Sequence, residues 1–184
     1  MSYQLTNIII SSVYSIVTLG YYSLVQRILG LPSSLIGASI GKVFFSEANQ
    51  EKRMSGNVIN SFKYTIFKLI IIGVPIFGLL YVTVEYFFAF VFGEEWRIAG
   101  EYAKIIIPFY FIQFIVSAIS VVEAVMEKQN IDLIFNISLL LISLIVIFIS
   151  MNLSFKAFLI NWTISMIVLY ALYLFVLYKM AKGQ

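Results

Sequence analysis

A chain of 184 residues that is 61% hydrophobic, only 11% charged and +0.99 in mean hydropathy has too little charge to clothe a water-facing surface, since soluble domains carry about 25% charged residues. Its net charge of +3 would suggest nucleic acid in a soluble protein, but in a membrane protein such an excess belongs to cytoplasmic loops, so no nucleic-acid partner is expected. With no Cys and no His, a disulfide framework, a thiolate metal site and the commonest metal ligand and proton shuttle are all excluded.

The opening "MSYQLTN" has no basic n-region and no clear small-residue cleavage site, so it is not a signal peptide. As one helix, the first 45 residues would reach about 67 Å, about twice a bilayer core. A break is expected in "SSVYSIVTLG", at Gly20. It leaves a stub at 1–12, too short to cross, and a full span at 14–45. The chain therefore reads as beginning inside a helix, as a truncated protein would. "SEANQEKRMSGN", 46–57, reads as the most polar loop.

Further spans follow at 64–86, 102–125, 133–151 and 157–178, the last leading into "KMAKGQ". Charge-free runs of about 18 residues or more can cross the core as helices, because backbone groups in lipid must pair within their own segment. The expected fold is all-α: a polytopic transmembrane bundle of five full spans plus a truncated N-terminal span, in one membrane domain over 1–184. Lys52 and Arg53 place 46–57 in the cytoplasm, and Glu85, Glu94, Glu95 and Glu101 place 85–101 outside. Lys179 and Lys182 make the C-terminus cytoplasmic.

Within 14–45, steps of about 100° put Gly20, Ser23, Arg27, Gly30, Ser34, Gly37 and Gly41 on one broad side. The glycines, with "GASIG" as a GxxxG pattern, suit a close helix-packing seam. Arg27, in the middle of the stretch, suits either an Arg that snorkels or pairs with a carboxylate of a neighbouring helix, or a cavity cation that meets an anionic group such as a phosphate. Lys42, Lys63 and Lys68 read as interfacial anchors, with the mouth of a cavity as the other reading. Pro32, Pro75 and Pro108 all lie in apolar spans, and Pro75, between Gly73 and Gly78, invites a kink and a hinge. Glu123 reads as interfacial or as an inward partner for a basic residue. Trp96, Tyr102 and Trp162 suit interfacial aromatic belts. No catalytic constellation, P-loop or metal-ligand spacing is present, so no enzyme and no cofactor is expected, and a coupling ion is not legible.

Three stretches, "GYYSLVQRILGLPSSLIGASIGKVFFSEAN", "VFGEEWRIAGEYAKIIIPFYFIQFIVSAIS" and "VMEKQN", together resemble the C-terminal half of the O-antigen and capsule exporters. These Wzx-like flippases belong to the multidrug/oligosaccharidyl-lipid/polysaccharide exporter superfamily. The resemblance implies a two-bundle fold around a central cavity, of which this chain supplies the second bundle. It also implies alternating access at the bacterial cytoplasmic membrane, with an undecaprenyl-diphosphate-linked oligosaccharide as the cargo, basic residues in the cavity, and Arg27 at the position of the arginine in the family's first motif, with Lys42 and Lys68 as further cavity candidates. Membrane lipids, and a missing N-terminal bundle or a second half-chain, are the implied partners. The other readings are a related drug/cation antiporter, a peptidoglycan-precursor flippase, a membrane-embedded polysaccharide polymerase or ligase, and an inactive fragment of a broken gene.

Overall fold

The computed structural model describes residues 14–183, so the stub expected at 1–12 lies outside the described residues. Helix α1 (Ile16–Pro32), a π-helical turn (Ser33–Gly37) and α2 (Ala38–Ser55) form one unbroken rod. There follow α3 (Ile59–Phe92), a 3-10 turn (Glu94–Trp96), α4 (Arg97–Ile119), the short α5 (Val122–Val125), α6 (Asn130–Ser150) and α7 (Phe155–Ala181). No strand occurs among the described residues. Five helical segments are long and apolar enough to cross a bilayer, the rod of 40 residues being the longest. The expected all-α transmembrane bundle is therefore the fold.

Two expected boundaries move. The first helix starts at Ile16, where the Ser15 hydroxyl accepts from the Thr18 N–H at 3.0 Å, and Gly20 lies inside it. The expected loop at 46–57 is helical as far as Ser55. At about 1.5 Å per residue the rod is about 60 Å long against a core of about 30 Å. Its polar end thus marks where the helix leaves the lipid, and Glu, Ala, Gln, Lys and Met keep it helical there. Gly56 ends the rod in the left-handed region (φ 74°), donating its N–H to the Lys52 carbonyl. Glu51 then accepts from the Asn60 and Ser61 N–H groups at 3.0 and 2.8 Å, satisfying orphan donors at the start of α3.

Helix α4 is the hub. It packs against the rod, α3 and α7, and 56% of its apolar window is buried, against 39% for the next most buried span. Close approach relies on missing side chains. A Cβ on Gly100 would lie 2.5 Å from the Glu85 Cα, one on Gly73 2.8 Å from the Phe111 ring, and one on Gly41 3.1 Å from the Ala118 carbonyl. Trp162, expected at a lipid interface, is instead 1% exposed. Its ring meets Phe109 edge-on at 5.0 Å and Tyr22 at 6.4 Å, because the face of α7 that carries it turns inward onto α4 and α1. Trp96 is half-buried at the end of the bundle, against Tyr21. Helix α6 packs on α7, with Phe135 stacked on Tyr173 at 3.7 Å.

The π-helical turn sets the register of the whole rod. Pro32 has no N–H to offer the preceding turn. The Ala38 N–H reaches back five residues to the Ser33 carbonyl, which winds one extra residue into the helix. Counting about 100° per residue from buried Leu29, Gly37 and Gly41 would fall about 80° and 120° away. The extra residue takes back about 100° and returns both to the face against α4. There they are buried beside Ser117 and Ala118. Gly20 and Gly30 stay off that face with nothing within 4 Å of an added Cβ. The single side expected from the sequence is therefore split into a buried seam and an open face. Pro75 and Pro108 end neither α3 nor α4, and both lie on exposed positions.

Two stability outcomes follow. Gly100→Ala should cost about 1–3 kcal/mol by overpacking, whereas Gly30→Ala should be neutral or gain up to about 1 kcal/mol; thermal unfolding of the purified protein in detergent separates them. Deleting Ser34 should be absorbed by straightening the π turn, leaving Gly37 and Gly41 in place. Deleting Val43, beyond the turn, should rotate all that follows by about 100° and abolish folding. A folded Val43 deletion beside an unfolded Ser34 deletion would contradict this register.

Candidate functional site

From Ser23 to Arg53 the open face of the rod carries a polar stripe. On the count from Leu29, Ser23, Arg27 and Ser34 lie at about 120–160°. With the extra residue included, Lys42, Ser46, Asn49 and Arg53 fall at about 100–160° as well. Arg27, Ser34, Lys42, Ser46 and Arg53 are exposed, and Ser23 and Asn49 half-buried. Arg27, Lys42 and Arg53 make no ion pair with any described residue. The neighbouring face, about 200–240° round, carries exposed Val17, Leu31 and Val43, which suit lipid.

Midway, the stripe opens into a groove against α4, of about 410 Å³, lined by Gln26, Gly30, Ser33, Ser34, Tyr110, Gln113 and Ser117. Two serines tie down carbonyls around the π turn: Ser34 donates to Leu31 at 3.0 Å and Ser39 to Leu35 at 2.8 Å. The Ser33 hydroxyl is buried without a partner among the described residues. A second cleft of about 770 Å³ follows at the far end of the rod, bounded by Phe45, Ser46, Asn49, Gln50, Arg53 and Met54. Uncharged polar groups thus occupy the middle, and cations the two ends.

Arg27 is not at the centre of the membrane-spanning length. Tyr21 packs edge-on against Trp96 at 5.1 Å, at the glutamate-rich end of the bundle. Arg27 is six residues further along, about 9 Å inward. Lys42 lies about 22 Å beyond Arg27, most of the thickness of a bilayer core. Lys68 is set apart from both: its ammonium sits 4.0 Å over the Tyr64 ring, and Tyr64 lines a different cleft with Glu47, Gln50 and Glu51. Among the packing and hinge candidates, Pro32 adjoins the π turn, Gly37 and Gly41 lie in the seam, and Gly30 opens on the groove.

Glu123 takes neither of its expected roles. It is 6% exposed and accepts a hydrogen bond from the Tyr173 hydroxyl at 2.5 Å, because α5 folds it back onto α7 rather than outward. Gln113 and Ser117, polar residues of α4 that face the groove, were not singled out in the sequence. Their spacing of four within an apolar helix was the available signal. Among the described residues no group of three His, Cys, Asp or Glu is placed to hold a metal ion.

Residues 1–101 match the family described as polysaccharide biosynthesis protein, a segment that holds the rod, α3 and the start of α4. No curated protein and no solved structure matches the chain. The match covers more than half of the 184 residues and contains the whole polar stripe. The chain is a multi-pass membrane protein of the polysaccharide biosynthesis protein family, with a role in the making or transport of polysaccharide.

Proposed function

We propose that this chain forms one helical bundle of a flippase that carries a lipid-linked oligosaccharide, an undecaprenyl-diphosphate-linked repeat unit, across the bacterial cytoplasmic membrane. The observation that supports this reading is the stripe on the rod, with Arg27 and Lys42, unpaired among the described residues, about 22 Å apart and polar groups between them. A lipid-linked sugar has an apolar tail, a dianionic or more highly charged link and a polar glycan. In this scheme the tail stays in lipid beside Val17, Leu31 and Val43 while the link and the glycan follow the stripe. A guanidinium costs about 2.5–3.5 kcal/mol at the centre of a membrane helix and less at the depth of Arg27, and a phosphate offsets that cost through bidentate hydrogen bonds.

The lysine-rich end, with Lys52, Arg53, Lys179 and Lys182, faces the cytoplasm in this scheme, and Arg27 lies toward the release side. A second bundle, from a longer chain or from another copy, closes the stripe into a cavity that opens to each side in turn. Among the described residues Glu123 is the buried acid, and it is engaged with the Tyr173 hydroxyl, while half-buried Glu85 is paired with Lys104, which favours an anion carrier over a cation antiporter.

The test is surface glycan export in a strain that depends on the full-length protein. Arg27→Ala should lower export at least tenfold with membrane insertion intact, and Arg27→Lys, which keeps the charge but loses the fork of donors, should keep part of it. Wild-type export by Arg27→Ala would overturn the role given to this residue.

A further inference from the structure

The two ends of the bundle use their charges in opposite ways. At the glutamate-rich end every described cation has a carboxylate: Arg97 with Glu94 at 2.9 Å, Lys104 with Glu85 at 3.0 Å, and Lys156 with Glu101 at 3.4 Å. At the lysine-rich end three acids are taken up internally. Glu51 caps α3, Glu127 holds Lys52 at 2.8 Å, and Glu123 holds the Tyr173 hydroxyl. Asp132 accepts from the Asn136 amide at 2.9 Å.

Apart from Arg53 and Lys42, which lie on the stripe, Lys63, Lys179 and Lys182 also have no carboxylate among the described residues, and they stand where the start of α3 meets the end of α7. The two helices are joined there by the Val58 N–H, which donates to the Ala181 carbonyl at 2.9 Å, and by Phe62, whose ring lies 6.2 Å from that of Tyr178. Two of the ammoniums are held over aromatic rings, Lys182 at 4.7 Å from Tyr178 and Lys179 at 4.8 Å from Phe175. Toward the bilayer, Phe67, one turn on from Lys63, and Leu172 and Phe175, one to two turns before Lys179, are each more than half exposed.

We propose that Lys63, Lys179 and Lys182 form a headgroup site for an anionic phospholipid, whose acyl chains lie along Phe67, Leu172 and Phe175. Cations above exposed apolar side chains match such a lipid at both ends, with the phosphate and its charge at the lysines and the tails on the helix faces. A zwitterionic lipid brings its own cation to the same place and is disfavoured there. Each lysine near an anionic headgroup contributes about fivefold in affinity, so the three together contribute about 100-fold. Because the site lies at the α3–α7 junction and not on the stripe, lipid capture there is independent of the transport reading.

Lipid retention can be counted by native mass spectrometry on the full chain, purified in micelles with equal amounts of phosphatidylglycerol and phosphatidylcholine. The unmodified protein should retain phosphatidylglycerol in preference, and Lys63→Gln/Lys179→Gln/Lys182→Gln should lose that preference. The corresponding triple Arg variant should keep it, and the single Gln variants should each weaken it about fivefold, which carries the test should the triple Gln variant not fold. Equal retention of both lipids by the unmodified protein, or unchanged phosphatidylglycerol retention in the Gln variants, would overturn the site.

Discussion

Everything in this bundle depends on how closely other helices can come to α4. Inside a bilayer the surrounding lipid is as apolar as leucine, so burying apolar side chains does not by itself hold helices together. Van der Waals contact between backbones must supply the association, and it requires residues with no side chain at the crossing points. Gly100 against Glu85, Gly73 against Phe111 and Gly41 against Ala118 are those points. Each removes the atom that would have held two helices apart. Around them the aromatic residues Trp162, Phe109, Tyr22 and Phe155 fill the wider gaps edge to face.

The π turn connects that packing to the chemistry. A regular helix from Ile16 to Ser55 would drive Gly37 and Gly41 off the face of α4. One extra residue after Pro32 corrects this, and it keeps Lys42 and Arg53 in line with Arg27 on the open side. The same irregularity therefore produces a tight seam and a continuous polar stripe. It also gathers the hydroxyls of Ser33, Ser34 and Ser39 at mid-depth, as helix irregularities at functional sites commonly do. The groove at Gln26, Ser34 and Gln113 is the local result.

Much of this was legible in the residues, and the remainder shows what a one-dimensional reading omits. Long apolar runs, three of them free of charge, marked out the spans, because bilayer thickness acts on length alone. The boundary at 46–57 was misplaced because polarity marks departure from lipid as readily as it marks a loop. The glycines near Arg27 were assigned to one side because a helical wheel assumes a constant 100° step, and nothing in "LPSSLIG" beyond the proline announces a π turn. Residue type suggests an interface for Trp162, and position near a helix end suggests an interface or an inward basic partner for Glu123, whereas their burial follows from α7 and α5 turning onto neighbours far away in sequence. Arg27 was noticed because it is costly, but its depth depends on Tyr21 meeting Trp96, a contact across 75 residues.

The account rests most heavily on the claim that the stripe faces water or polar cargo while the adjoining face meets lipid. The chain has no cysteine, so single cysteines can be placed without prior removal of others. Cysteines at Ser23 and Ser34 on the stripe, and at Leu24 and Leu31 beside it at the same depths, can be treated in membranes with a charged, water-borne thiol reagent. Labelling of the first two and protection of the second two is expected. Equal protection of both pairs, or labelling at Leu24 and Leu31 alone, would contradict a stripe that faces water.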